Sequence, residues 1–157
     1  MENLLHNKRL IIFDFDGLLV NTEDIYLSGW VSALKFYKLS VSDSLLKSFK
    51  GKSIDYTNSM LGSLGLISDT IKKLRCHREK YILNSIESSE IETLPGVMEF
   101  LNITVEKCTF AICTSSFRSR SQKILDCLGI SMYFDKLFAY EDTLLHKPNS
   151  LPYSNIL

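Results

Sequence analysis

The sequence predicts an α/β fold in which a parallel β-sheet core is interrupted by an inserted block of four helices. Three short apolar runs, rich in β-branched and aromatic residues, are typical of strands buried on both faces of a parallel sheet. These runs are Leu10–Phe13, Thr109–Cys113 and Lys136–Ala139. Apolar residues at helical spacing separate the runs, and alternation of strands with helices favours a parallel sheet over an antiparallel one.

Four helices are expected between the first two strands. Their apolar stripes and turn signals place them after Thr22 as N-cap, from Ser42 to about Phe49, from Ser53 to Leu64, and from Ser68 to about Ser88. The apolar stripe of the first helix consists of Leu27, Trp30, Val31 and Leu34. Two more helices follow, one starting near Pro95 and one over residues 116–128. The predicted division is a core made of residues 1–21 and 91–157, with residues 22–90 as an inserted helical unit.

Size and composition indicate a globular protein of one domain, or a small core carrying a subdomain. The chain has 157 residues, of which 45% are hydrophobic and 23% charged. Lys and Arg together number 18, as do Asp and Glu, and no long basic run is present, so nucleic acid and anionic membranes have little electrostatic support as partners. The apolar N-terminal stretch is interrupted by Asp14 and Asp16, unlike a signal peptide, and no run approaches a membrane span. A cytoplasmic protein is expected.

The four cysteines, at positions 76, 108, 113 and 127, contain no Cys-x-x-Cys pair. Zinc ribbons and redox dithiols require closely spaced pairs, so neither is expected. Cys108, Cys113 and Cys127 lie in apolar stretches and are predicted to be buried, reduced thiols.

Two carboxylates follow the first predicted strand. Asp14 and Asp16 are two residues apart, so in an extended chain their side chains point to the same side. They also lie at the carboxyl end of the strand, where open α/β sheets bind ligands. Two such carboxylates favour a divalent cation, or a division of labour between a nucleophile and a proton shuttle. The alternative is a strand that simply ends in solvated acids.

The motif around these residues extends over Phe13-Asp14-Phe15-Asp16-Gly17-Leu18-Leu19-Val20-Asn21-Thr22-Glu23. It resembles the first motif of the haloacid dehalogenase superfamily, in its phosphoglucomutase-like phosphatase branch. The resemblance implies a Rossmann-like core with residues 22–90 as a helical cap. It also implies that Asp14 is the nucleophile that takes the phosphoryl group, and Asp16 the general acid and base. Mg²⁺ would be held by the Asp14 carboxylate and the Asp16 backbone carbonyl, since an anionic nucleophile must approach an anionic phosphate.

Two later segments resemble further motifs of the same family. Thr114, with Ser115 beside it, follows the second strand and matches the Thr or Ser that binds the phosphate; hydroxyls and N–H groups at a helix start suit an anion. A simple helix cap is the alternative for this segment. His146-Lys147-Pro148 resembles the family's Gly-Lys-Pro, which implies that Lys147 clamps the phosphate. The run from Leu128 to Leu137, similar to the family's segment at this distance, supports that assignment.

The sequence after Pro148 has no match to the family's fourth motif, an acidic pair that supplies another metal ligand. This predicts a C-terminally truncated core, with three of four catalytic motifs. Because the family places a further strand beside the first one, Leu10–Phe13 is expected to be an open apolar edge, and the chain to be poorly soluble or marginally stable.

The predicted cap carries the residues for substrate choice. The segment Phe49-Lys50-Gly51-Lys52-Ser53 resembles the part of the cap that reaches the substrate, so Gly51 and Lys52 are candidates for substrate binding. A solvated lysine is the alternative for Lys52. Mutases of the branch carry a His where this chain has Tyr26 and an Arg near Ile54, and both differences favour hydrolysis over phosphoglucomutase chemistry.

The prediction from sequence is therefore a Mg²⁺-dependent phosphatase that acts on a small phosphomonoester, such as a sugar phosphate, through an aspartyl-phosphate intermediate. Two alternatives stay open. One is a catalytically impaired remnant of such an enzyme. The other is an interaction protein that recruits a partner strand to its exposed edge. The partner expected for an active enzyme is a small phosphorylated metabolite, and the sequence does not indicate an oligomeric state.

Overall fold

The computed structural model describes residues 9–88 and 91–157, which contain three β-strands and seven α-helices. The strands are β1 (Leu10–Phe13), β2 (Thr109–Cys113) and β3 (Lys136–Phe138). The helices are α1 (Glu23–Phe36), α2 (Asp43–Ser48), α3 (Ile54–Ser63), α4 (Ser68–Glu87), α5 (Val97–Thr104), α6 (Arg118–Cys127) and α7 (Leu151–Ser154). Short 3₁₀ helices cover Ser131–Tyr133 and Tyr140–Asp142. None of the helices in the described ranges is long and apolar enough to cross a membrane.

The three strands form one parallel sheet in the order β1-β2-β3. Leu10 pairs with Thr109, and Ala111 pairs with Lys136, so the carboxyl ends of all three strands meet at one edge. The central strand is buried from Phe110 to Cys113, whereas β1 is only half-buried because it lies at the edge of the described sheet. The predicted α/β Rossmann-like fold with a partial sheet is confirmed, and full burial of the first strand is not.

Each face of the sheet has its own apolar cluster. On one face the Phe13 ring makes edge-to-face contacts with three aromatic rings, at centroid distances of 5.4 to 5.9 Å: Phe100, Phe110 and Phe134. On the other face Ile156, 1% exposed, packs with Ala111 and Cys113. The C-terminal segment therefore covers one side of the sheet, which explains why both faces of the strands read as apolar in the sequence.

The described part of Thr22–Glu90 forms a separate compact unit. Its buried core contains residues from three of its helices, α1, α3 and α4, and from the turn after α2: Trp30, Ala33, Leu34, Phe49, Leu61, Ile71 and Leu74. Val31, predicted to face this core, is 48% exposed, and Gly29 and Ala33 occupy the buried face of α1 instead. A Cβ added at Gly29 would lie 3.1 Å from Arg78 Cγ, so the absence of a side chain there permits the close approach of α1 and α4.

Helix starts follow the predicted caps in two of three cases. Ser42 Oγ accepts from the Leu45 N–H at 3.3 Å, and Ser53 Oγ accepts from the Tyr56 N–H at 3.2 Å. Thr22, the expected cap of α1, makes no such bond. Helix α5 begins at Val97 rather than near Pro95. The preceding Gly96 has φ +85°, a conformation that favours glycine, and it places the turn before the helix.

The two core segments that flank the inserted unit in the sequence are hydrogen-bonded to each other. The Asn21 N–H donates to the Glu92 carbonyl at 3.0 Å, and Asn21 Oδ1 accepts from the Glu92 N–H at 2.7 Å. The Leu94 N–H donates to the Leu19 carbonyl at 3.0 Å. The other unit comprises the described residues of Met1–Asn21 and of Ile91–Leu157. That this unit is a catalytic core, and the helical unit its cap, stays a prediction.

The cysteines divide into two buried and two exposed thiols. Cys108 and Cys113 are buried, as expected, whereas Cys76 and Cys127 are exposed. The expectation for Cys127 was wrong because Cys127 is the last residue of α6 and its side chain faces solvent, while Ile124 and Leu125 take the buried face.

Candidate active site

The candidate site begins in the turn that follows β1. Phe15 is fully buried and separates an exposed Asp14 from a half-buried Asp16. Gly17, with φ +73°, reverses the chain, and its N–H donates to the Val20 carbonyl at 2.9 Å. A positive φ is costly for residues with a side chain, so glycine at this position lets the turn close directly behind the two carboxylates.

Lys147 lies beside Asp14. Its Nζ donates to Asp14 Oδ1 at 2.6 Å and to the Cys113 carbonyl at 2.8 Å. The lysine side chain is 18% exposed and that of Asp14 is 53% exposed, so the ion pair stands at the mouth of the site and not in the core. Residues 133 positions apart in the sequence, predicted as parts of two motifs, are therefore brought together.

Asp16 accepts hydrogen bonds from two hydroxyl groups in the turn after β2. Ser116 Oγ donates to Asp16 Oδ2 at 2.6 Å, and Thr114 Oγ1 donates to the same oxygen at 3.3 Å. Ser115, predicted with Thr114, is exposed, and within the described part of the chain its side chain has no hydrogen bond to Asp16. Sequence reasoning missed Ser116. Because alternate residues of extended chain share a side, the pair 114 and 116 could have been chosen over 114 and 115.

Backbone hydrogen bonds hold this turn against the segment that follows β3. The Thr114 N–H donates to the Phe138 carbonyl at 2.9 Å, and the Tyr140 N–H donates to the Ser116 carbonyl at 3.0 Å. The pairing of β2 with β3 thus continues beyond the ends of the strands. Thr114 and Ser116 are each 4% exposed, which fixes their hydroxyl groups in a solvent-poor environment.

Cys113 adjoins the site, since its carbonyl accepts a hydrogen bond from Lys147. Burial raises the pKa of its thiol, an effect that Lys147 partly opposes and Asp14 reinforces. Since the thiolate is the reactive form, a raised pKa makes Cys113 a poor nucleophile near neutral pH. Asp14 is the exposed nucleophilic candidate at this edge of the sheet.

The ligand atoms at Asp14 fit a magnesium ion whose other ligands are mainly water and substrate oxygens. All hydrogen bonds that the described residues donate to Asp14 go to Oδ1. No group of three or more His, Cys, Asp or Glu side chains suited to a metal occurs within residues 9–88 and 91–157. Mg²⁺ commonly binds proteins through one or two carboxylates, with phosphate oxygens and waters as its other ligands. The exposed carboxylate of Asp14 meets that requirement, and the Asp16 carbonyl as a second ligand stays a prediction.

Gly51 and Lys52 belong to the helical unit, in the turn between α2 and α3. Gly51 has φ +67°, and Lys52 Nζ lies 5.5 Å from the centre of the Tyr56 ring. Lys52 is exposed, with no ion pair among the described residues. Substrate binding by either residue stays a prediction.

The chain is similar to known proteins over nearly its whole length. The family model for haloacid dehalogenase-like hydrolases matches residues 11–157. A phosphorylated carbohydrates phosphatase from Thermotoga maritima is 26% identical over 150 residues, covering 94% of this chain and 68% of that protein. Pyrophosphatase PpaX from Halalkalibacterium halodurans is 26% identical over 153 residues, covering 90% and 64%. The chain thus spans about two thirds of the length of these relatives.

Among solved structures, a phosphoglycolate phosphatase predicted in Haemophilus somnus 129pt superposes with a TM-score of 0.80 at 23% sequence identity. The superposition covers 95% of this chain and 70% of that one. This likeness shows the fold alone, whereas the family model also covers the segments that carry Asp14, Thr114 and Lys147. The chain belongs to the haloacid dehalogenase-like hydrolase family.

Proposed function

We propose that this protein is a Mg²⁺-dependent phosphatase that hydrolyses a small phosphomonoester through an aspartyl-phosphate intermediate. The observation that carries the proposal is the pairing of an exposed carboxylate, Asp14, with Lys147 at 2.6 Å, next to a second carboxylate held by buried hydroxyl groups. This arrangement offers a nucleophile, a cation for the phosphate and a separate group for proton transfer.

In the first half of the reaction, a carboxylate oxygen of Asp14 forms a bond to phosphorus as the bond between phosphorus and the alcohol oxygen breaks. Asp16 gives its proton to the departing alcohol oxygen. Lys147 stays within reach of Asp14 and places its positive charge where the phosphate oxygens gather. Mg²⁺ bound by the Asp14 carboxylate and the Asp16 carbonyl would reduce the repulsion between an anionic nucleophile and an anionic substrate.

In the second half, Asp16 takes a proton from a water molecule, and the resulting hydroxide attacks phosphorus. The bond between phosphorus and Asp14 breaks, which releases inorganic phosphate and restores the carboxylate. The two carboxylates therefore need different surroundings. Asp14 is exposed to the substrate side, and Asp16 is half-buried against Thr114 and Ser116, which supports this division of roles.

The test compares turnover of p-nitrophenyl phosphate by the wild-type chain and by Asp14→Asn in the presence of Mg²⁺. We expect the substitution to abolish turnover, because the amide side chain of Asn cannot act as the nucleophile that forms the aspartyl phosphate. Asp16→Asn should lower kcat by about 10²- to 10⁴-fold, the usual contribution of a general acid or base. Removal of Mg²⁺ with a chelator should also abolish turnover, and Mg²⁺ should restore it.

Asp135→Asn is the matched control. Asp135 is an exposed carboxylate of the same unit, but it precedes β3 and so lies at the amino ends of the strands. Its variant should keep wild-type turnover. Turnover that survives Asp14→Asn would sink the proposed mechanism. A wild-type chain with no turnover would favour the catalytically impaired remnant.

The proposed substrate class is a sugar phosphate or a similar small phosphomonoester. One relative is a phosphatase of phosphorylated carbohydrates and another a pyrophosphatase, and the two are equally similar to this chain. A panel of hexose phosphates, phosphoglycolate and pyrophosphate, compared by kcat/KM, separates these classes. Preference for pyrophosphate would overturn the phosphomonoester proposal. Conversion of glucose 1-phosphate to glucose 6-phosphate without phosphate release would indicate a mutase.

A further inference from the structure

Arg120 is a buried cation whose position needs an explanation. It is the third residue of α6 and is 6% exposed. The first turn of a helix carries the positive end of the helix dipole, which disfavours a cation there. Burial of a charged group is also costly unless polar partners compensate for the lost hydration. The buried guanidinium of Arg120 must therefore be stabilised by specific polar contacts. Arg118 on the same helix is exposed and has no such requirement.

One of those contacts leads towards Asp16. Arg120 Nη2 donates to Ser116 Oγ at 3.0 Å, and Ser116 Oγ lies 2.6 Å from Asp16 Oδ2. A guanidinium has donors only, so it must use a lone pair of the serine oxygen. The single hydroxyl hydrogen of Ser116 is then left to point at Asp16. Arg120 thus sets the direction of the hydrogen bond that Asp16 receives.

Thr114 is oriented in the same way by a different donor. The Ser116 N–H donates to Thr114 Oγ1 at 3.0 Å, and Thr114 Oγ1 lies 3.3 Å from Asp16 Oδ2. Both hydroxyl groups therefore reach the same carboxylate oxygen as donors. Two donors converging on one oxygen hold the carboxyl group of Asp16 in one orientation, and the guanidinium behind Ser116 supports the shorter of the two bonds.

We propose that Arg120 is a positioning residue for proton transfer by Asp16, acting through the hydroxyl group of Ser116. The inference rests on the proposed phosphatase function, in which Asp16 protonates the departing alcohol. Loss of the arginine leaves Ser116 free to turn its hydroxyl hydrogen away, and the Asp16 carboxyl group then samples orientations that do not face the leaving oxygen. Substrate binding through Asp14 and Lys147 is unaffected.

The dependence on the leaving group tests this role. p-Nitrophenolate departs without a proton, whereas an alkyl alcohol needs one, so in the first half of the reaction only alkyl phosphates depend on Asp16 as an acid. The second half uses Asp16 as a base with either substrate, and kcat/KM leaves that half out because it reports only the steps through release of the alcohol. For Arg120→Met we expect kcat/KM on glycerol phosphate to fall by about 10- to 100-fold, the size of effect seen when a supporting partner of an active-site group is removed. The kcat/KM for p-nitrophenyl phosphate should fall much less. Arg120→Lys, which keeps a charged donor, should recover part of the loss.

Arg118→Met is the matched control. Arg118 lies two residues away on α6, and its guanidinium contacts the Leu137 carbonyl and Asp142 instead of Ser116. It should not change the ratio of the two activities. Equal losses on both phosphates in Arg120→Met, or no recovery in Arg120→Lys, would show a merely structural role and overturn the proposal.

A measurement that needs no turnover separates this inference from the proposed function. Ser116→Ala, Arg120→Met and the double variant are unfolded in urea, and their midpoints are compared with that of the wild type. If the two side chains act as one unit, the double variant should lose less than the sum of the single losses. Additive losses would overturn the coupling of Arg120 to Ser116. An inactive wild-type chain with coupled residues would contradict only the phosphatase function.

Discussion

At the scale of single residues, Lys147 is fixed by two oxygens that belong to different strands. Its ammonium group donates to Asp14 Oδ1 after β1 and to the Cys113 carbonyl at the end of β2. The second bond is independent of the state of Asp14, so in the proposed mechanism Lys147 should stay in place while Asp14 forms and loses a bond to phosphorus. A lysine held only by its carboxylate partner would be released in the phosphorylated state.

The cysteines provide a residue-scale prediction. We expect iodoacetamide at pH 8 to label Cys76 and Cys127 quickly and Cys108 and Cys113 only after denaturation, since the first two are exposed. Cys113 should react slowest, because burial raises the pKa of its thiol and so lowers its thiolate fraction at this pH. Peptide mapping by mass spectrometry measures each site. Labelling of Cys113 at the rate of Cys127 would contradict the buried position of β2.

At the scale of elements, two of the four helices of the inserted unit, α2 and α3, start where the sequence supplies a side-chain acceptor. Ser42 and Ser53 each precede a helix and accept a hydrogen bond from its first turn. Thr22 does not, and α1 is anchored by its packing on α4 through the close approach at Gly29. In this unit an N-cap hydrogen bond thus fixes the start of each short helix, α2 and α3, whereas tertiary packing stabilises the long helices α1 and α4.

The N-cap residue of α3, Ser53, gives a prediction at this scale. Ser53→Ala should lower the free energy of unfolding by about 0.5–2 kcal/mol, because the Tyr56 N–H loses its acceptor. Ser53→Gly should lower the free energy of unfolding by only a few tenths of a kcal/mol, because glycine is a better N-cap residue than alanine. Urea unfolding followed by circular dichroism measures the three chains.

Ser59→Ala serves as the control for this prediction. Ser59 is exposed in the interior of α3, and alanine is the better helix former there. This variant should be as stable as the wild type or slightly more stable. A loss in Ser59→Ala equal to that in Ser53→Ala would show that the hydroxyl of Ser53 does not act as a cap.

At the scale of the whole molecule, the described sheet ends at an apolar strand. β1 consists of Leu10, Ile11, Ile12 and Phe13, has β2 as its neighbour in the described sheet, and is half-buried along its length. An edge strand of this composition can pair with another chain. The interaction-protein alternative depends on this edge and stays a prediction. A cytoplasmic location also stays a prediction from the sequence.

We therefore expect the 157-residue chain to associate as its concentration rises. Light scattering coupled to size exclusion should show a mass that increases with loading. Ile67→Ser, which removes an apolar side chain that is 68% exposed in the helical unit, should not change this behaviour. A monodisperse monomer at all concentrations would argue against an open edge, and suppression by Ile67→Ser would assign the association to a different surface.

Several parts of the fold and the site were predictable because they depend on local pattern. The three strands are continuous apolar runs, and the four helices of the inserted unit have apolar stripes and turn residues within a few positions of their observed ends. Asp14, Asp16, Thr114 and Lys147 were found as members of motifs, each of which is a short string. Val31 and Cys127 were misplaced because periodicity alone does not say which side of a helix meets a neighbour.

The sequence by itself determined which residues carry the candidate chemistry and which segments form strands and helices. Only the tertiary structure decided that Ser116 reaches Asp16 across 100 positions of sequence, and that Arg120 contacts Ser116 from the other side. The physical reason is that propensity and periodicity act over a few residues, whereas these contacts arise where the carboxyl ends of parallel strands are brought to one edge of a sheet.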